Sequence, residues 1–120
     1  VRLRRMLGAF ACGRILNEKT ARSQITGGMI WGVGTALTEI NRIDERYGSF
    51  IGQDLGGYLI PAHADIVNID AYFLPEVDDK ANPLGICGAG AAVANAIYNA
   101  CGLRMRDYPI TPDRLLAAGL

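Results

Sequence analysis

Two places in the sequence combine residue types that could meet a ligand. The first is Gln24, one turn before Gly27-Gly28. A glutamine amide both donates and accepts hydrogen bonds, and small neighbours leave room beside it for a planar, polar molecule. A surface or capping glutamine fits the same pattern equally well. The second is Gly85-Ile86-Cys87-Gly88-Ala89-Gly90, a glycine-rich run leading into a helix-forming stretch. Such loops let backbone N–H groups at a helix start meet anionic groups. By itself Gly-x-Gly before a helix is a weak signal, and this run is neither a Walker loop nor a full GxGxxG. The remaining residues offer little chemistry. His63 is the only histidine, and no serine or cysteine has a recognisable base beside it in the sequence. A nucleophile–histidine pair with distant partners therefore has no motif behind it. Asp78 and Asp79 lie in a polar run and read as solvated, and Glu39 reads as facing water. Arg2, Arg4 and Arg5 read as the solvated face of a strand rather than a phosphate site.

The 120 residues are 50% hydrophobic. That is one domain's worth, with a core whose burial is less complete than in a larger domain. Twelve basic and twelve acidic side chains cancel, which argues against a nucleic-acid partner, since those proteins usually carry a basic excess. The cysteines Cys12, Cys87 and Cys101 are odd in number and form no CxxC pair. A disulfide framework or zinc site is not expected; buried thiols in a reducing compartment are. No apolar run reaches the roughly 18 residues of a membrane span, and no signal-peptide pattern is evident. The first residue is Val1 rather than Met, as expected of a piece cut from something longer or of a start at an unusual codon.

Periodicity gives the elements that would position these residues. Residues 1–10 begin with alternation, Val1 and Leu3 against Arg2 and Arg4, as in a half-buried strand, and Gly13 breaks it. Asn17 suits a helix N-cap, with Glu18 near the positive end of the dipole. The spacing predicts a helix over 20–40, with Ile25, Met29, Val33, Ala36, Leu37 and Ile40 on one stripe. Gly27, Gly28, Gly32 and Gly34 interrupt it at about 1 kcal/mol each relative to alanine. Close approach of another backbone, or of a ligand, is the usual reason. Gly48 suits a turn between two short strands, and Gly56-Gly57 marks a loop. Residues 66–73 alternate, with Val67, Ile69, Ala71 and Phe73 inward and Asn68, Asp70 and Tyr72 outward; Pro75 ends the strand. After a loop over 78–90, residues 91–101 read as a helix with Val93, Ile97 and Ala100 on one face and Gly102 as its stop. Thr111 and Pro112 open a short last helix with Leu115 and Leu116 on its apolar side. The order strand, helix, strands, helix, helix is an α+β arrangement.

Several runs together resemble one family. Gln24-Ile25-Thr26-Gly27-Gly28-Met29-Ile30-Trp31-Gly32-Val33-Gly34 looks like the Q-x-x-G-G-x-x-x-G-x-G helix of the large subunits of the xanthine dehydrogenase / aldehyde oxidoreductase family, the molybdenum hydroxylases. Tyr58-Leu59-Ile60-Pro61 with Ala64-Asp65-Ile66 resembles the family's Y-L-I-P…A-D-I stretch. Asn82-Pro83-Leu84-Gly85-Ile86 resembles the approach to the active-site loop. Ala92-Val93-Ala94-Asn95-Ala96-Ile97-Tyr98 and Pro109-Ile110-Thr111-Pro112 resemble the two closing segments. Order and spacing agree along nearly the whole chain, most closely with the molybdenum subunits of bacterial three-subunit aldehyde oxidoreductases.

The resemblance implies part of a C-terminal molybdenum-cofactor-binding domain. Residues 1–120 would be a single partial domain in which a glycine-rich long helix and a second helix pack on a small, mostly antiparallel sheet. It implies hydroxylation of aldehydes or N-heterocycles by a molybdenum–pterin cofactor that the protein orients and tunes. Gln24 falls where the family places a glutamine near the pterin, and Gly88 and Gly90 fall in the loop beside the molybdenum. No residue of this chain falls in a metal-ligand role. The implied partners are the remainder of the large subunit and the iron–sulfur and flavin subunits, in the cytoplasm or, as a complex, the periplasm.

The same loop departs from the family's pattern. The family reads G-x-K-G-x-G-E, then about seven apolar, glycine-containing residues, then A-A-x-A-N-A. Here Cys87 stands at the lysine position, and Gly90 is followed directly by Ala91-Ala92-Val93-Ala94-Asn95-Ala96. The missing glutamate is the family's general base. No catalytic residue is therefore assigned, and the chain alone is expected to bind no cofactor and to be inactive. The competing reading is a non-catalytic subunit or interaction module associated with a larger partner. An unrelated small α+β enzyme is a third, opposed by the shared motifs.

Overall fold

Asn17 starts the longest element. In the computed structural model, which describes residues 1–75, 79–81 and 88–120, its side chain accepts from Thr20 N–H at 3.2 Å, and Thr20 Oγ1 donates back to its carbonyl at 3.1 Å. Helix α1 (Glu18–Leu37) follows, with Glu18 in its first turn. Replacing Asn17 by alanine removes that cap at a cost of about 1 kcal/mol, read as a lower urea midpoint with unchanged slope. The inward stripe is as the spacing predicts: Ile25, Met29, Val33 and Ala36 are buried, and Leu37 and Ile40 are half-buried. The helix ends earlier than 40 because Thr38 and Glu39 both return their N–H groups to Gly34 O, and Thr38 Oγ1 donates to Leu59 O at 2.8 Å.

Strand β1 (Met6–Phe10) precedes α1. Of the predicted 1–10, only these five residues join a ladder, and their partner is distant in sequence. After α1 come the two-residue strands β2 (Ile43–Asp44) and β3 (Ser49–Phe50), then β4 (Ile69–Phe73). β1 pairs with β4 in parallel, Met6 opposite Ile69 and Phe10 opposite Phe73. The expected mostly antiparallel sheet is corrected here: the longer pair is parallel, and only the small β2–β3 pair is antiparallel, with one antiparallel bridge between Gly13 and Ala81. The physical reason is the crossover. Parallel neighbours need a long connection that returns the chain to the same end, and α1 supplies it while packing on the pair. Gly48, at φ 64°, makes the turn between β2 and β3 as expected.

On β4 the alternation holds for Ile69, Ala71 and Phe73, which face α1 with Cys12, Ile25 and Met29. Val67 is exposed, contrary to expectation, because the strand begins only at Ile69. Helix α2 (Ala89–Cys101) buries Ala89, Val93 and Ile97. Ala100 does not join that face and is exposed. Gly102, left-handed at φ 77°, returns its N–H to Tyr98 O at 2.7 Å and ends the helix. Helix α3 (Pro112–Ala117) has Pro112 in its first turn; Leu115 is buried but Leu116 is exposed. Val33 and Ala36 of α1, Val93 and Ile97 of α2, Ile110 and Leu115 form the second core cluster.

Two such clusters leave much surface uncovered. The accessible area is 8724 Å², against about 6,300 Å² for a folded monomer of 12.9 kDa. The radius of gyration is 16.9 Å, against about 14 Å for a compact chain of this length. Residues 41–60 contain no buried residue, yet they expose Tyr47, Phe50, Ile51 and Leu55.

Candidate functional site

The helix glycines divide by environment. A Cβ on Gly32 would collide with Ala89 Cβ, and one on Gly34 with the Glu39 carboxylate and Pro61. Those two allow close packing, Gly32 of α2 and Gly34 of the strap around Pro61. A Cβ on Gly27 meets nothing within 4 Å, so packing gives no reason for glycine there.

Gln24 lies on the exposed side of α1, one turn before Gly27. Its amide bonds no described residue. It lines a shallow groove with Cys12, Arg14, Asn17, Thr20 and Ala81. Gly88 caps α2 with no side-chain capping bond, which leaves the first-turn N–H groups of that helix outward. A Cβ on Gly88 meets nothing within 4 Å; one on Gly90 would sit 3.5 Å from Tyr108 Oη and 3.6 Å from Gly32 O. The Gln24 amide, the open space at Gly27 and Gly88, and a helix start without a side-chain cap leave polar groups facing outward.

Gln24 lies on α1 and Gly90 packs against that helix, but the two do not meet at one point. Gly90 abuts Gly32, eight residues from Gln24, or about 12 Å along the axis of α1. Ala81 in Gln24's groove and Gly88 at the start of α2 are the described residues on either side of 82–87. Asp78, the 82–86 run and Cys87 lie outside the described residues. Among the described residues, no group of three or more His, Cys, Asp and Glu is placed to hold a metal ion, and no helix is long and apolar enough to cross a membrane. A cavity of ≈ 340 Å³ lined by Leu3, Val33, Leu37, Pro61 and Ile110 lies at the other end of α1 and includes none of the three residues.

Other candidates resolve plainly. His63, Arg2, Arg4, Arg5 and Asp79 are exposed. Glu39 does not simply face water: it is half-buried and accepts from Tyr58 Oη at 2.7 Å. That hydrogen bond, helped by desolvation and the nearby charge, raises the Tyr58 phenol above its ordinary 10.0. Because the folded-state value is the higher one, its stabilising contribution is present below the ordinary value and lost as pH rises through the raised one. Tyr58→Phe is therefore expected to be less stable than wild type at neutral pH, the gap closing at strongly alkaline pH in denaturation curves. Sequence reading also missed Arg22, which donates to Ala71 O at 2.5 Å, pairs with Glu18 at 3.1 Å and lies over the Phe73 ring. Only the Glu18–Arg22 spacing of four was visible beforehand.

Comparison with known proteins gives the family. Residues 1–67 match the family model described as molybdopterin cofactor-binding domain. The chain is 52% identical to the aldehyde oxidoreductase molybdenum-binding subunit PaoC of Escherichia coli (strain K12), over 97% of this chain and 17% of that protein. It is 31% identical to the 6-hydroxypseudooxynicotine dehydrogenase complex subunit gamma of Paenarthrobacter nicotinovorans, over 97% of this chain and 16% of the relative. The crystal structure of quinoline 2-oxidoreductase from Pseudomonas putida 86 superposes with a TM-score of 0.75 at 28% identity, over 92% of this chain and 15% of that one. The chain thus spans about a sixth of the length of these relatives. A matched family model over more than half the chain and a 52% identical relative over nearly all of it lead to one conclusion: this chain belongs to the molybdopterin cofactor-binding domain of the xanthine dehydrogenase / aldehyde oxidoreductase family of molybdenum hydroxylases.

Proposed function

We propose that this chain is one wall of the cofactor site of a molybdenum-dependent oxidoreductase that hydroxylates aldehydes or N-heterocycles, and that it is inactive alone. The observation that carries this is the 52% identity to an aldehyde oxidoreductase subunit along 97% of the chain. The quinoline oxidoreductase likeness supports the N-heterocycle arm. Gln24 would hold the pterin edge by its amide, and Gly88 and Gly90 would let the backbone at the start of α2 approach the metal end. The cofactor supplies the oxygen-transfer chemistry; these residues bind and orient it. The remainder of the large subunit and the iron–sulfur and flavin subunits are the partners of this reading, and the cytoplasm its compartment.

Loss of the general-base loop is supported by the match itself. The alignment to PaoC runs over 124 positions although this chain has 120 residues, so that relative carries residues this chain lacks. In this chain the junction after Gly90 falls within the first turn of α2, where no loop projects. The test is dye-linked turnover. The purified chain, supplied with molybdenum cofactor and an aromatic aldehyde, is expected to reduce no dye; measurable aldehyde-dependent reduction refutes the proposal. In a large subunit carrying this sequence, Gln24→Ala is expected to lower the pterin content of the purified protein, and unchanged content removes Gln24 from the site.

A further inference from the structure

The first turn of α2 is built from residues that hold a helix poorly. Gly88 is its N-cap and gives no side-chain acceptor. Gly90 follows two residues later, and a glycine weakens a helix relative to alanine. No acidic side chain in that turn meets the positive end of the dipole. Helix starts of this kind fray. Here the first bond is nonetheless closed, with Ala92 N–H donating to Gly88 O at 3.0 Å. Something outside α2 must supply what its own residues withhold.

Two neighbours do. On one side Ala89 is buried against Gly32 of α1. On the other, the ring of Tyr108 comes down on Gly90. A Cβ built on Gly90 would lie 3.6 Å from Tyr108 Cε2 and 3.6 Å from Gly32 O, so this glycine sits in the angle between ring and helix. Tyr108 is itself held from behind. The half-buried Arg114 of α3 donates through Nη1 to Tyr108 O at 3.2 Å and to Pro109 O at 3.0 Å. Next to them Ile110 N–H donates to Ala36 O at 2.6 Å. Gly32 and Ala36 are one turn apart on one face of α1, so residues 108–110 and the start of α2 rest on the same stretch of that helix. The Tyr108 hydroxyl bonds no described residue; the ring is what makes the contact.

We propose that Tyr108, aimed by Arg114, is a positioning residue that keeps the first turn of α2 closed and so holds the backbone of Gly88 and Gly90 at the cofactor. This rests on the proposed function, which places those two glycines beside the metal end. Backbone groups that must meet a ligand are placed accurately only on a rigid element, and two glycines without a cap do not make one by themselves. With Tyr108 supplying the rigidity, both positions keep the small size that close approach of a ligand needs.

The test is peptide-resolved amide exchange on a large subunit carrying this sequence, comparing residues 89–94 with residues 95–101 of the same helix. Tyr108→Ala is expected to speed exchange of the first stretch by about tenfold or more and to leave the second within about twofold. Tyr108→Phe keeps the ring and is expected to match wild type. Arg114→Met removes the two carbonyl bonds and leaves Tyr108 in place. It is expected to move exchange in the same direction as Tyr108→Ala, and it decides the matter where Tyr108→Ala does not fold. Unchanged exchange in the first stretch, an equal rise along the whole helix, or a phenylalanine variant that behaves like alanine overturns the clamp. Loss of bound molybdenum and pterin on dialysis reads the other half of the proposal. It is expected to be about tenfold faster in Tyr108→Ala, the usual scale for a group that supports a metal site from behind, and restored in Tyr108→Phe. A loosened turn with unchanged cofactor loss overturns the positioning role. A wild-type subunit that purifies without molybdenum or pterin sinks the proposed function instead, and the exchange result still judges the clamp.

Discussion

A glutamate-bearing stretch inserted after Gly90 is expected, on the proposed function, to raise the aldehyde turnover of a large subunit carrying this sequence by about 10²–10⁴-fold, the usual worth of a positioned general base. The expectation comes from what occupies that point. α2 begins at Ala89, two residues earlier than the sequence pattern predicts, and runs through Gly90 and Ala91 without interruption. No acidic residue lies in its first turn. Ala89 is pinned against Gly32, so the helix start cannot swing to bring a distant carboxylate in. The same stretch with glutamine in place of glutamate separates loop length from proton transfer. Recovery by glutamate alone, at equal molybdenum and pterin content, is the expected result. Equal turnover from both insertions, or none from either at full cofactor content, sinks the assignment of the missing base.

Ile110→Ala is expected to destabilise the fold by about 2–5 kcal/mol, the range for truncating a fully buried isoleucine. Ile110 is 1% exposed and lies in the cluster where α1, α2 and α3 meet, beside Val33, Ala36, Val93, Ile97 and Leu115. Its N–H also donates to Ala36 O at 2.6 Å, so the backbone stays tied while the side chain's space empties. The residues around a vacated site can then collapse only partly, which places the cost in the upper part of the range. Small domains hold about 5–15 kcal/mol in total, so a chain with this little core should lose much of its cooperative transition. Urea unfolding followed by the circular dichroism of the helices reads it. A loss below about 1 kcal/mol would mean that the three helices do not share this core.

What the sequence revealed depended on how local each feature is. The stripe on α1 and its Asn17 cap were readable because both are set within a few residues of backbone. The direction of β1 against β4 was not, since it depends on where α1 returns the chain. Ala100 and Leu116 have apolar side chains at helical spacing, but their faces look outward because nothing described packs over them. Gln24 was legible as a candidate from its glycine neighbours. That Gly27 is open while Gly32 and Gly34 are packing glycines required α2 and Pro61 to be in place. Glu39 read as solvated because its partner Tyr58 is nineteen residues away, beyond any periodic pattern. Arg22 shows the same limit, since its carbonyl acceptor is forty-nine residues distant.

The uncovered surface of the 41–60 arm has a consequence for the cell rather than for the fold. Exposed Tyr47, Phe50, Ile51 and Leu55 form the kind of apolar stretch that aggregation and quality control act on. Left uncovered, the arm is expected to make the protein that carries it a client of chaperones and a substrate of proteases.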